Sequence, residues 1–371
     1  MKKSAILLLL LLLGSEAVRA QALAPEVLRD VRQSLDKGLA WLVAQQKADG
    51  SWSEEGMPAL TALPLWAIVA AGENTCTQVV DKAVGFLLAQ QQADGGIYLP
   101  MAGRKGGGLG NYNTAICVAA LHATNRREVM PAVLKGRSYI AASQQVGDDL
   151  HAGGFGYDKN AERRYTDLNN THFALDAMRR TQSAEDMRPA SEKRADLDWD
   201  AALAYVLKLQ NTEGETAGGF AYNTIDPKGG IITNSSGRLV LRAYGSMTYA
   251  GLLSMVHARL DERDPRVRSA VAYGSRFWTL EENPGQGQQG LYFYFNVMAR
   301  ALSAAGLDVL PQAEATKAAI PWRDEILRKV ISLQKTDGSW ANENNRWWEN
   351  NPVLATSYAL LALEFAAGIT L

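Results

Sequence analysis

Gln45-Gln46-Lys47-Ala48-Asp49-Gly50-Ser51-Trp52, near the start of the chain, returns near its end as Gln334-Lys335-Thr336-Asp337-Gly338-Ser339-Trp340. Weaker copies lie between them. They are Gln90-Gln91-Gln92-Ala93-Asp94-Gly95-Gly96, then Gln144-Gln145 ahead of Gly153-Gly154-Phe155-Gly156-Tyr157, then Gln210-Asn211 ahead of Gly218-Gly219-Phe220-Ala221-Tyr222. A unit recurring at roughly 45 to 70 residues marks stacked supersecondary modules, each needing neighbours to bury its face.

Each copy follows an amphipathic run. Leu35, Leu39, Leu42 and Val43 fall on one helical face, with Lys37 and Gln45 between them. The Asp-Gly or Gly-Gly that follows stops the helix, since glycine takes a left-handed cap at little cost. An aromatic comes next (Trp52, Tyr98, Phe155, Phe220, Trp340), then a polar crossing, then a second helix. Those second helices begin at Thr61, Asn113, Asn170, Ser246 and Thr356, residue types that cap helix N-termini. Their bodies, such as Ala115 to Leu121 and Tyr358 to Leu363, are apolar all round and therefore buried. A degenerate fifth unit supplies Tyr273 to Trp278 as an outer helix and Leu291-Tyr292-Phe293-Tyr294 as an inner start. The reading is all-α: six outer helices around six inner ones, with the last unit packed on the first. An open superhelix is the alternative arrangement. Asp226 to Gly230 reads as a turn, and Ile231-Ile232 with Leu239-Val240-Leu241 as a small β-hairpin insertion.

The first twenty residues read as a signal peptide: Lys2-Lys3, an apolar run from Ala5 to Leu13, and Val18-Arg19-Ala20. The expected mature chain, 21–371, is a single repeat domain, exported and either periplasmic or secreted in a bacterium. The apolar run is too short to span a bilayer, and no transmembrane anchor is expected. Removing those residues leaves 35 basic against 38 acidic residues, a formal charge of −3, with no basic stripe for nucleic acid. In an oxidising compartment Cys76 and Cys117 either pair or remain free, with Cys117 filling space in a helix.

Repeated Gln-x-x-x-Gly-x-Trp segments ahead of apolar helices resemble the QW-type repeats of squalene–hopene cyclases and protein prenyltransferase β subunits. The chain is also similar to exported bacterial proteins carrying this repeat. The resemblance covers nearly all of the mature chain and implies an α/α toroid. Triterpene cyclases of that family carry Asp-x-Asp-Asp-Thr at an inner-helix start, where the middle Asp protonates an alkene. The matching stretch here is Asp167-Leu168-Asn169-Asn170-Thr171. Both members of the acid pair are Asn, and an amide has no acidic proton to deliver. Asp167 is the remaining candidate catalytic acid; a helix cap is its plainer reading. The Asp, Cys and His that hold zinc in the prenyltransferases have no counterparts at Tyr244-Gly245-Ser246-Met247 or Thr356-Ser357-Tyr358, so no metal and no cofactor are expected.

Two rings gather the inner-helix starts at one end of a central cavity. The candidate ligand-binding residues there are Tyr112, Asn113, Asn169, Asn170, His172, Tyr249, Tyr292, Tyr294, Trp347, Trp348 and Tyr358, with Tyr244 and Ser246 beside them. Aromatic faces at such a mouth suit an apolar, isoprenoid-like small molecule or lipid. Their plainer role is to fill the mouth and cap helix ends. Two alternatives stay open: a non-catalytic exported scaffold binding a protein or glycan, and a carbohydrate-active toroid using Trp347, Trp348 and Glu349 as a sugar platform. The glycine-rich 103–110 stretch lacks the ending of a phosphate loop and reads as a rim over the mouth.

Overall fold

The computed structural model describes residues 23–52, 57–72, 76–100, 108–159, 164–226, 228–234, 236–312, 314 and 316–369. The signal-peptide reading of residues 1–20, most of the glycine-rich rim and Pro227 lie outside them. Twelve α-helices run through the described residues: α1 (Pro25–Gln45), α2 (Ala59–Ala70), α3 (Thr77–Ala89), α4 (Gly110–Ala123), α5 (Met130–Ala141), α6 (Leu168–Arg180), α7 (Trp199–Lys208), α8 (Gly245–His257), α9 (Pro265–Arg276), α10 (Leu291–Ala304), α11 (Trp322–Ser332) and α12 (Pro352–Ala367). Even-numbered helices pack side by side as an inner ring, α2 on α4 and onward to α12, which returns to α2. Odd-numbered helices lie outside, and α1 closes their circle against α11 and α12. This is a closed α/α toroid. Among the described residues no helix is long and apolar enough to cross a membrane.

Burial follows the two kinds of helix pattern. Every residue from Ala59 to Ile68 of α2 is buried, whereas α1 buries only the stripe Val27, Val31, Leu35, Leu39 and Leu42 with Ser34 and Gly38. A helix apolar on every side has to be wrapped; an amphipathic one does the wrapping.

The repeated motif is a clasp between neighbouring units. In each full unit one Gln amide donates to the carbonyl of its own turn and to the next outer helix, at its start in all but the last unit. Gln46 Nε2 reaches Gly50 O and Val79 O at 3.1 and 2.8 Å. Gln91, Gln144 and Gln210 repeat this toward Ala132, Asp198 and Arg266. Gln334 closes the circle on Ser34 O at 2.9 Å. The buried ring that follows anchors the turn to its own helix: Trp52 Nε1 donates to Leu42 O and Trp340 Nε1 to Val330 O. In the second unit the buried position belongs to Ile97, not to the expected Tyr98, which instead packs on Tyr139. The fifth unit lacks the Gln. There Trp278 Nε1 donates to Glu325 at 2.7 Å and Lys329 pairs with Glu281 at 2.6 Å.

The threonines at the inner-helix starts do not cap them. Each sits inside the first turns and accepts the backbone N–H of the buried apolar residue, a ring in all but Ile97, in its crossing. The pairs are Trp52 to Thr61, Ile97 to Thr114, Phe155 to Thr171, Phe220 to Thr248 and Trp340 to Thr356, at 2.9–3.3 Å. Buried backbone donors need partners, and here a hydroxyl one layer inward supplies them. Side-chain caps come from Asp167 on α6 and Asn351 on α12.

The hairpin forms as β1 (Ile231–Thr233) paired antiparallel with β2 (Leu239–Leu241), Ile232 opposite Val240. The expected turn leads into it at Lys228 and Gly229, and the strands are joined beyond Asn234, whose N–H donates to Arg238 O. Cys76 and Cys117 are both free, and Cys117 is fully buried in α4.

Candidate ligand-binding site

Because every crossing carries the chain from an outer C-terminus to an inner N-terminus, the inner helices all start on one face. A cavity of about 230 Å³ opens there on the ring axis. All six inner helices line it: Ala59 and Leu60 of α2, Tyr112 of α4, Asn169 of α6, Ser246 and Met247 of α8, Phe293 of α10, Leu354 and Tyr358 of α12. Tyr157, Tyr222 and the Trp347-Trp348-Glu349 turn come in from the crossings. The lining is largely apolar and aromatic, and Glu349 is its one carboxylate among the described residues.

Of the eleven candidate binding residues, Tyr112, Asn169, Trp347, Trp348 and Tyr358 stand on this cavity, together with Tyr244 and Ser246. The other six do not line it. Asn113 accepts from Ala59 N and donates to Gly108 O, tying α4 to α2. Asn170 donates to Asp167. Tyr294 donates to Thr279 O and packs beside Tyr249, whose hydroxyl has no partner among the described residues. Tyr292 packs on Phe295. His172 is buried against Phe173, with ring centres 4.1 Å apart, and Phe293, and among the described residues neither of its ring nitrogens has a hydrogen-bond partner. Burial, reinforced by the charge of Arg300, holds its pKa down at about 3, so His172 is neutral.

The missed lining residues carry a readable signal. A residue two positions before each locking threonine is rotated about 200° from it and points at the axis. That rule picks out Ala59, Tyr112, Asn169, Ser246 and Leu354, all of which line the cavity.

Asp167 is fully buried outside the cavity lining. Its Oδ1 accepts from Asn170 N at 2.7 Å and its Oδ2 from Asn170 Nδ2 at 2.8 Å, as a helix cap does. Desolvation pushes the carboxyl above its ordinary value against those hydrogen bonds and the charge of Lys228. Asp167 thus serves the start of α6 from behind the cavity-lining Tyr222, and does not itself line the cavity. Replacing Asp167 with Ala is expected to destabilise the fold by about 1 kcal/mol, the ordinary loss of an N-cap, which urea unfolding measures. Glu349 is likewise committed to the scaffold. Its Oε1 accepts from Phe293 N at 2.7 Å, and its Oε2 accepts from Tyr292 N and from Asn342 Nδ2.

No family model matches the chain, and no curated protein matches it. Among solved structures, it is similar to the type II terpene cyclase MstE from Scytonema, with a TM-score of 0.55 and 11% identity, over 92% of this chain and 99% of that one. The GH76A alpha-1,6-mannanase from Salegentibacter is also similar, with a TM-score of 0.54 and 11% identity, over 91% of this chain and 99% of that one. A protein from Actinoplanes aligns at 0.54 with 16% identity, over 91% and 99% of the two chains. At these identities the likeness is one of fold, the α/α toroid. A further structure of the Scytonema cyclase holds geranylgeranyl dihydroxybenzoate, its substrate.

Proposed function

We propose that this toroid, exported by its N-terminal leader, holds an apolar, isoprenoid-like group in the axial cavity. The lining carries this reading: Met57, Leu60, Leu109, Met247, Phe293 and Leu354 with aromatic faces between them, from every inner helix but α6, which supplies Asn169. Such a surface gains about 25 cal/mol for each Å² of apolar area that a ligand takes out of water. A cavity of about 150 Å³ holds benzene, so one of about 230 Å³ encloses about ten non-hydrogen atoms. That matches one end of a prenyl chain, not a whole triterpene. The terpene-cyclase neighbour, whose substrate carries a geranylgeranyl tail, lends the reading support by analogy of fold alone.

Chemistry in the manner of the triterpene cyclases has no acid to start it, because Asn169 stands on the cavity where the resemblance marks the proton donor. The sugar-platform reading is weaker. Glu349 is occupied by backbone amides, and the Trp347 ring lies under Arg346 and Lys228. A glycosidase needs a second carboxylate beside the first. Neither observation favours a bare scaffold, since a packed toroid needs no open axial cavity.

Purified protein is expected to carry or take up a prenyl lipid in native mass spectrometry. A cavity-filling Leu354→Trp variant is expected to lose at least about tenfold in affinity for geraniol, since overpacking excludes the ligand. Equal geraniol binding by both proteins, or none by the wild type, would remove the cavity as the site.

A further inference from the structure

The cavity lining is largely apolar, yet two cations outside that lining lie over its rings and share one indole. Lys228, on the segment between Tyr222 and the hairpin, holds its Nζ 3.4 Å from the centre of the Tyr222 ring and 4.8 Å from that of Trp347. Arg346 holds its guanidinium 4.4 Å from the centre of the same Trp347 ring. Tyr222 and Trp347 both line the cavity. Two cations within ~5 Å of one ring centre lie less than a Debye length, ~10 Å, apart and repel.

Two carboxylates, Asp167 and Asp226, attract Lys228 more than Arg346 repels it, but neither lines the cavity. Asp226 approaches Lys228 only to 3.8 Å, from a partly exposed position. Asp167 acts on Lys228 through space while its oxygens serve the start of α6. Glu349, across the lining, is bound to the start of α10. The Arg346 guanidinium has no hydrogen bond or ion pair among the described residues and rests on Trp347 alone. Backbone geometry fixes this arrangement: Trp347 and Trp348 both take left-handed conformations, φ 61° and 63°. Each such residue costs about 1–2 kcal/mol, and strain of that kind collects at ligand clamps.

Building on the apolar-cavity reading, we infer that the ligand is an amphiphile whose anionic head, a carboxylate or phosphate, sits between Lys228 and Arg346. Its tail points down the axis past Phe293. An anion placed there converts two repelling cations into two charge-assisted contacts, while the indole and phenol faces cover the first carbons of the tail. The mouth thereby selects polarity and the cavity selects shape.

The test compares three ten-carbon probes of one skeleton by tryptophan fluorescence titration: geraniol, geranic acid and geranyl monophosphate. Wild-type protein is expected to bind at least one anionic probe about tenfold more tightly than geraniol, with a preference that shrinks as salt rises. A preference for geranic acid alone identifies a carboxylate head, and one for the monophosphate alone identifies a phosphate. In the Lys228→Gln/Arg346→Gln double variant the ratio of anionic to neutral affinity is expected to fall to near one. Each single variant, checked for folding by circular dichroism, is expected to give an intermediate ratio. An equal ratio in wild type and double variant, or a wild type that prefers geraniol, overturns the anionic head and leaves the apolar cavity standing. Failure of all three probes to bind overturns both.

Discussion

Gly153→Ala is expected to cost at least about 3 kcal/mol, whereas Gly306→Ala costs about 1 kcal/mol, although both glycines have left-handed backbones. Their φ values are 87° and 67°. The difference lies in what a methyl group would meet. At Gly153 an added Cβ would stand 1.9 Å from Ala201 O and 2.4 Å from its carbonyl carbon, both backbone atoms of α7. At Gly306 nothing lies within 4 Å. Gly153 therefore carries both the conformational penalty and the displacement of a helix that the neighbouring Gln144 amide holds through Asp198 O. Gly306 carries only the first. Urea unfolding of the two variants beside wild type separates the contributions. A Gly153→Ala protein within about 1 kcal/mol of wild type would show that the clasp does not set the spacing between units.

The same clasp explains why the architecture was legible. Gln, Gly and a buried ring lie within a few residues of one another, and each makes its contact because of its own chemistry. Local patterns of this sort survive in a linear reading even where Trp has become Ile97 or Phe155. Ring closure was legible for a similar reason, because the last copy repeats the first and Gln334 then meets α1 as Gln46 meets α3. What the pattern did not convey was rotation. Asn113, Asn170, Tyr292 and Tyr294 stand one position away from the cavity residues Tyr112, Asn169 and Phe293, and one position is about 100° of helix. That turn is enough to face a neighbouring helix in place of the axis. The threonine lock supplies the missing phase, but its partner N–H belongs to a crossing of variable length, so the pairing showed only in three dimensions. Lys228 was hidden for another reason. Its site joins the crossing of the fourth unit to that of the sixth, which meet beside the cavity past the intervening fifth unit.

Asp176→Asn is expected to destabilise the toroid by about 3–5 kcal/mol, because it strands the buried Arg300 guanidinium at the base of the inner ring. Asp176 is buried on α6 and accepts from Arg180 Nε at 2.9 Å, from His257 Nε2 at 3.0 Å and from Arg300. Arg300 is nearly inaccessible and lies over the rings of Trp66 and Phe365, 4.9 and 5.8 Å from their centres. Burial alone would raise the Asp176 carboxyl, but Arg300, Arg180 and His257 hold it well below its ordinary value. The amide variant keeps the shape and loses the charge, so the loss reports the uncompensated Arg300 guanidinium. Adding Arg300→Met should restore part of it, since an apolar side chain suits the Trp66–Phe365 layer. A double-mutant cycle by urea unfolding measures that coupling. Acid should act in the same sense. A carboxyl depressed in the fold contributes stability that is present above its unfolded value of 3.8 and lost as pH falls through the lower folded one. Burial also lowers His257, which favours its neutral form, so stability begins to fall earlier, as pH drops through the unfolded value of 6.5. In Asp176→Asn the loss below 3.8 should be smaller than in wild type. An Asp176→Asn protein of unchanged stability, with an unchanged acid limb, would mean that the cations reach solvent and that the axis is wet from end to end.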